Sequence, residues 1–140
     1  MKKLLFLALA ISVVGCQSPA PAKKVEIKKI EANYAINFIK DQHNQKNGRI
    51  ELLTITDSIA AANDTVAYLA AVKKFYANKI KERENFSLAQ WKSFIIIDKN
   101  GIDLKAKLSD NIVDGIDEQV KSEPKVRKYI DDVNRDSLPY

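Results

Sequence analysis

After residue 24 the apolar residues recur every three or four positions, and no other feature limits the folds open to this chain as strongly. Ile27, Ile30, Tyr34, Phe38 and Ile39 would share one face of a helix from about Val25 to Gln45. Asn47-Gly48 would cap its C-terminus, because Gly takes left-handed backbone at little cost. Leu52, Ile55, Ile59, Ala62, Val66, Leu69 and Val72 keep the same interval, and Tyr76 and Ile80 extend it. Residues 50–84 therefore read as one long helix, or as two where Asn63-Asp64-Thr65 offers a fresh cap. The β-branched run Thr54-Ile55-Thr56 works against helix there. Further on, Leu108, Ile112, Ile116 and Val120 predict a helix starting near Ser109-Asp110, weakened at its middle by Gly115. Pro124 suits the first turn of a last helix carrying Val126, Tyr129, Ile130 and Val133.

The segment from Phe86 to Leu108 has two readings. In one, Ser87 caps a helix through Leu88, Trp91 and Ile95 that closes at Asn100-Gly101. In the other, Phe94 to Ile97 is a strand, Asp98 to Gly101 a tight turn, and Ile102 to Leu108 the partner strand. Periodicity does not separate the two in so short an apolar run. Only two Pro and three Gly lie beyond residue 24, too few for a many-turned β fold. The expected architecture is mainly α: one domain over residues 25–135, a small up-and-down bundle of four or five helices, with 136–140 a frayed tail. The alternative is α+β with one short hairpin near 94–107.

The leader is of a different kind. Met1, Lys2 and Lys3 precede an apolar run from Leu4 to Val14 interrupted only by Ser12. Its length suits a secretory signal and falls short of the roughly 20 apolar residues that span a bilayer. It ends in Val13-Val14-Gly15-Cys16, which resembles the lipobox of bacterial lipoprotein precursors. That resemblance covers the leader alone, about the first 18 residues. It implies a diacylglyceryl thioether on Cys16 and cleavage between Gly15 and Cys16. Cys16 is the only Cys in the chain, so a lipidated product has no thiol left for a disulfide, a nucleophile or a thiolate metal site. Residues 16–24 then form a Pro/Ala/Lys tether, whose eight residues after the Cys reach roughly 25 Å if extended as polyproline II. Lys23, Lys24, Lys28 and Lys29 follow, placed either for anionic headgroups or simply for solvent.

The resemblance also implies location. Gln17, rather than Asp, after the Cys favours the outer membrane over inner-membrane retention, and the absence of an acidic cluster favours its periplasmic face. Formal charge falls from +5 to +3 once Lys2 and Lys3 leave with the leader, a balance that does not call for nucleic acid.

The chain beyond the tether carries few marks of catalysis. His43 is the only His, so a Ser-His-Asp triad would have to use it. No nucleophile elbow, phosphate-cradling Gly loop or H-E-x-x-H motif occurs. Asp98, Asn100 and Asp103 set Gly101 at the wrong position for a calcium loop, which leaves a turn. Asp110, Asp114 and Glu118 form an acidic stripe at helical spacing, read as a solvated face. No cofactor and no metal is expected. Lys73, Lys74, Lys81 and Arg83 form a basic stretch beside Phe75, Tyr76 and Ile80, the candidate surface for an envelope protein partner. The expected function is a non-enzymatic, membrane-tethered module that binds a partner or ligand. The alternative is a small hydrolase acting on an envelope polymer through paired carboxylates, for instance among Glu51, Glu82 and Glu84.

Overall fold

The structure is a computed structural model that describes residues 31–44, 46–85 and 89–136. Three strands and four helices follow in the order β1 (Tyr34–His43), β2 (Ile50–Ile59), α1 (Asp64–Glu84), β3 (Gln90–Asp98), α2 (Leu104–Lys107), α3 (Asp110–Lys121) and α4 (Pro124–Asp136). The strands form one antiparallel sheet in the order β2-β1-β3. The expected helical bundle is thus overturned, and the α+β class of the alternative holds.

The reason lies in β1. Tyr34, Ile36 and Phe38 alternate along the chain and all three are buried, a period-2 pattern of aromatic and β-branched residues that suits a pleated sheet. Asn47-Gly48 does not end a helix; it turns the chain between β1 and β2. Gly48 sits at φ 66°, its N–H donates to Asn44 O at 2.8 Å, and Asn44 N–H donates to Arg49 O at 2.8 Å. The register then runs from His43 opposite Ile50 to Tyr34 opposite Ile59. The long helix expected over 50–84 is therefore a strand followed by a helix. Asn63 begins that helix as its cap, the side chain accepting from Val66 N–H at 2.9 Å.

Residues 94–97 are strand, as in the second reading of that segment, but their partner is β1, with Ile36 opposite Ile96 and Phe38 opposite Phe94. After the turn at Gly101 (φ 79°) the returning chain forms no strand: Asp103 makes a single bridge opposite Ile97, Ile102 O accepts from Asp98 N–H at 3.0 Å, and the chain goes at once into α2. Helices α3 and α4 begin where the sequence places them, at Asp110 and Pro124. Expectations for residues 1–30, for Phe86, Ser87 and Leu88, and for 137–140 lie outside the described residues.

The core sits on one side of the sheet. Ile36, Phe38 and Ile96 face Ala67, Tyr68, Ala71, Val72 and Phe75 of α1, with Val113, Ile116 and Val120 of α3, Leu104 of α2 and Val126 of α4 completing it. Buried Ala67 and Ala71 let α1 lie close to the strands, and Phe94 packs its ring against Phe38, Tyr68 and Phe75 at centroid distances of 5.3–6.4 Å. Asn33 pins the approach to α1: its side chain donates to Ala61 O at 3.0 Å and accepts from Ala61 N–H at 3.1 Å.

Candidate interaction surface

Because directly opposed residues of an antiparallel pair share a face, the register sorts every strand residue. Tyr34, Ile36, Phe38 and Lys40 of β1 point to the helices. So do Ile55, Asp57 and Ile59 of β2 and Phe94, Ile96 and Asp98 of β3. The ion pairs Lys40–Glu82 and Lys74–Asp57 join that side to α1. The opposite face holds Ala35, Asn37 and Ile39 of β1, Leu52, Thr54, Thr56 and Ser58 of β2, and Ser93, Ile95 and Ile97 of β3. Among the described residues α1 packs on the first face, α3 and α4 pack in turn on α1, and no helix packs on the second face. Ile95 is 43% exposed there and Leu52 71%, while Ile39 and Ile97 are half-buried by their neighbours. Thr56 Oγ donates to Asn37 Oδ1 at 2.8 Å, which leaves the middle of this face polar but uncharged.

Strand β2 is exposed along nearly its whole length, from Ile50 to Ser58. Four of the eight exposed large aliphatic residues described, Ile50, Leu52, Leu53 and Ile55, fall on it, so the exposure is a patch rather than scatter. Asn44 and Arg49 form a backbone-bonded pair, and the register keeps the sum of paired numbers constant. Odd-numbered β2 residues therefore bond to β1, and the N–H and C=O groups of Leu52, Thr54 and Thr56 point outward from an edge that no other described strand pairs. The other edge is guarded. Strand β3 is irregular opposite Ile39 and Lys40, carries Lys92 paired to Asp41 at 2.9 Å, and has α2 packed against it.

The basic stretch of α1 is divided by the helix geometry. At about 100° per residue Lys74 and Lys81 lie on one flank, while Lys73 and Arg83 lie on the other. Lys73 pairs with Glu123 at 2.7 Å, Lys74 with Asp57, and Arg83 with Asp136; Lys81 is exposed. Three of the four charges are thus answered within the chain. Gly15 and Cys16 lie outside the described residues.

The carboxylates named for hydrolysis are likewise separated. Glu51 accepts from Asn44 Nδ2 at 2.7 Å on β2, Glu82 pairs with Lys40, and Glu84 lines an open cleft of about 640 Å³ between α1 and α4. His43 is exposed at the end of β1, and Asp110, Asp114 and Glu118 are all exposed on α3. No group of three or more His, Cys, Asp or Glu among the described residues is placed to hold a metal ion.

Asp117, which sequence spacing did not single out, and Asp103 together line a smaller recess of about 210 Å³, along with Tyr68, Phe75 and Phe94. Asp103 spends its carboxylate capping α2, accepting from Lys105 N–H at 3.0 Å. Burial pushes the Asp117 carboxyl up, and burial raises the Tyr68 hydroxyl to about 12.

Asp98, read from sequence as a turn residue, does more than turn the chain. Its carboxylate accepts from Asn100 N–H at 2.8 Å, Ile102 N–H at 3.0 Å and Lys107 Nζ at 2.9 Å. The Lys107 ammonium, with those backbone donors, holds it down at about 2.

No protein-family model, no curated protein and no solved structure matches the chain.

Proposed function

We propose that the chain is an envelope lipoprotein, anchored by lipid on Cys16 at the periplasmic face of the outer membrane, whose domain is a non-enzymatic binding module. The observation that carries the binding role is the open sheet face. Ile39, Leu52, Ile95 and Ile97 lie together on it, and no described element covers them. A protein partner burying these side chains gains about 25 cal/mol per Å² of apolar area removed from water. The central Asn37 and Thr56 supply hydrogen bonds for register. The two groups of the proposal rest on different residues and are tested apart.

For the anchor, cells expressing the chain are fed a palmitate analogue: the wild type takes label and Cys16→Ala takes none. Label retained in Cys16→Ala contradicts the anchor. For the binding face, Ile95→Lys should remove a co-purifying envelope protein while the far-ultraviolet circular dichroism is unchanged, since Ile95 is not part of the core. Undiminished co-purification excludes the face.

A further inference from the structure

Edge strands that stay single in solution are commonly blunted by Lys, Pro or a bulge, since an unpaired ladder of N–H and C=O groups templates another strand. Strand β2 has none of these. Between Ile50 and Ile59 its only charged residues are Glu51 and Asp57, and its pairing with β1 is regular over all ten positions. It exposes aliphatic side chains on both faces, Ile50 and Leu52 on one and Leu53 and Ile55 on the other. A partner on the open face alone would leave Leu53 and Ile55 in water; a strand added at the edge flanks both sets.

The charge pattern selects the occupant. Arg49 and Asp57 stand four residues on either side of Leu53 and carry opposite charge, and Asp57, though paired with Lys74 of its own chain, keeps 44% of its side chain exposed. When β2 meets a second β2 antiparallel about Leu53, Arg49 of each copy falls opposite Asp57 of the other. Leu53 then meets its own counterpart, Leu52 meets Thr54, and Ile50 meets Thr56. The outward N–H and C=O groups of the even-numbered residues form the ladder. Shifting the centre to Thr54 sets Glu51 against Asp57, like charge against like, which disfavours that register. The twofold axis about Leu53 stands perpendicular to the sheet, so both sets of helices stay on one side and the two open faces join on the other.

We propose that two copies of this chain pair through their β2 edges about Leu53, giving a continuous six-stranded sheet. The inference takes from the proposed function only the lipid anchor, which confines copies to one surface and raises their effective concentration.

The pairing fixes which residues meet. Leu53 and its counterpart bond to their own β1 strands, so they form a non-hydrogen-bonded pair with Cα atoms about 4.5 Å apart, within disulfide reach. The experiment uses the full chain in intact envelopes, oxidised with copper phenanthroline and resolved on non-reducing gels. Leu53→Cys should give a reducible dimer. Thr56→Cys should give none, because position 56 faces position 50, while Ile50→Cys combined with Thr56→Cys should restore it. The wild type, whose one Cys is Cys16, should give no disulfide-linked dimer under these denaturing conditions. A monomeric Leu53→Cys chain overturns the pairing and leaves the anchor untouched. So does a Leu53→Cys crosslink to a protein of another mass, or a dimer from Thr54→Cys instead. A disulfide-linked wild-type dimer overturns the anchor, and Leu53→Cys in a Cys16→Ala background then decides the pairing. Leu53→Lys, which brings two ammonium groups together at the axis, should run as a monomer in native electrophoresis where the wild type runs as a dimer.

Discussion

The Lys107 ammonium lies 2.9 Å from Asp98 Oδ2. It also lies 2.8 Å from Asp64 Oδ2, and Asp64 Oδ1 accepts from the Tyr34 hydroxyl at 2.8 Å. One cation thus ties the end of β3 to the first turn of α1 and, through Asp64, to the first residue of β1. The same contacts raise Lys107 and lower Asp98 and Asp64.

The acid response of the fold follows from that network. Asp98 has a folded-state value of about 2, below the unfolded value of about 4. A lowered carboxylate stabilises the fold above the unfolded value, and that contribution is lost as pH falls from about 4 to about 2. Lys107→Met removes the largest cause of the shift. Its acid unfolding midpoint, followed by circular dichroism, should lie at higher pH than the wild type's. An unchanged midpoint means the network is not coupled to folding.

Asp117 has the opposite sign. Burial raises its carboxyl, so the folded state holds the proton more tightly and the charged form costs stability at neutral pH. Asp117→Asn should raise the thermal midpoint at pH 7, with the gain shrinking as pH falls through the carboxylate range. A loss of stability would instead mark the Asp117 charge as a needed partner. Loss of polymer turnover in the same variant would revive the hydrolase reading.

The core and the edge strand should separate cleanly under truncation. Leu104 is fully buried in the shared core, and Leu104→Ala should cost about 2–5 kcal/mol in denaturant unfolding. Leu52, 71% exposed, should cost within about 0.5 kcal/mol on truncation to Ala in the monomeric domain. Equal costs would show that β2 is covered.

Two glycines should respond with opposite sign. Gly48 has φ 66° with open space around it, so Gly48→Ala meets backbone strain alone and should destabilise by roughly 1 kcal/mol. Gly115 lies within helix α3, also with open space, and Gly115→Ala should stabilise by roughly 0.4–1 kcal/mol. Denaturant midpoints of the two variants check both signs together.

Much of the helical half was legible in the sequence, and of the sheet only residues 94–97, as one of two readings of that segment. The Asn63 cap, the start of α3 at Asp110 and Pro124 in the first turn of α4 are local signals whose meaning does not depend on the rest of the chain. Strand β1 was misread because a four-residue interval returns to the same face in both a strand and a helix. Tyr34 and Phe38 satisfy either; Ile36 breaks the tie, since a helix would turn it away from both. Strand β2 offered no single period at all, because both its faces carry aliphatic residues and, up to Ile59, neither is buried. Thr54-Ile55-Thr56 and the Asn47-Gly48 turn were the signals that could have found it. The open face was invisible for the same reason, since it exists only once three segments distant in sequence are paired. The basic stretch of α1 was legible as composition, but its internal partners Glu123, Asp57 and Asp136 come from elsewhere in the chain.

The open sheet face is the proposed working surface of a tethered binding module. Site-specific photo-crosslinking in intact envelopes tests it most directly, with the photoreactive residue placed in turn at Ile95 on the open face and at Asp131 on exposed α4. One discrete crosslinked protein is expected from position 95 and none from position 131. A crosslink from position 131 with none from position 95 would contradict it.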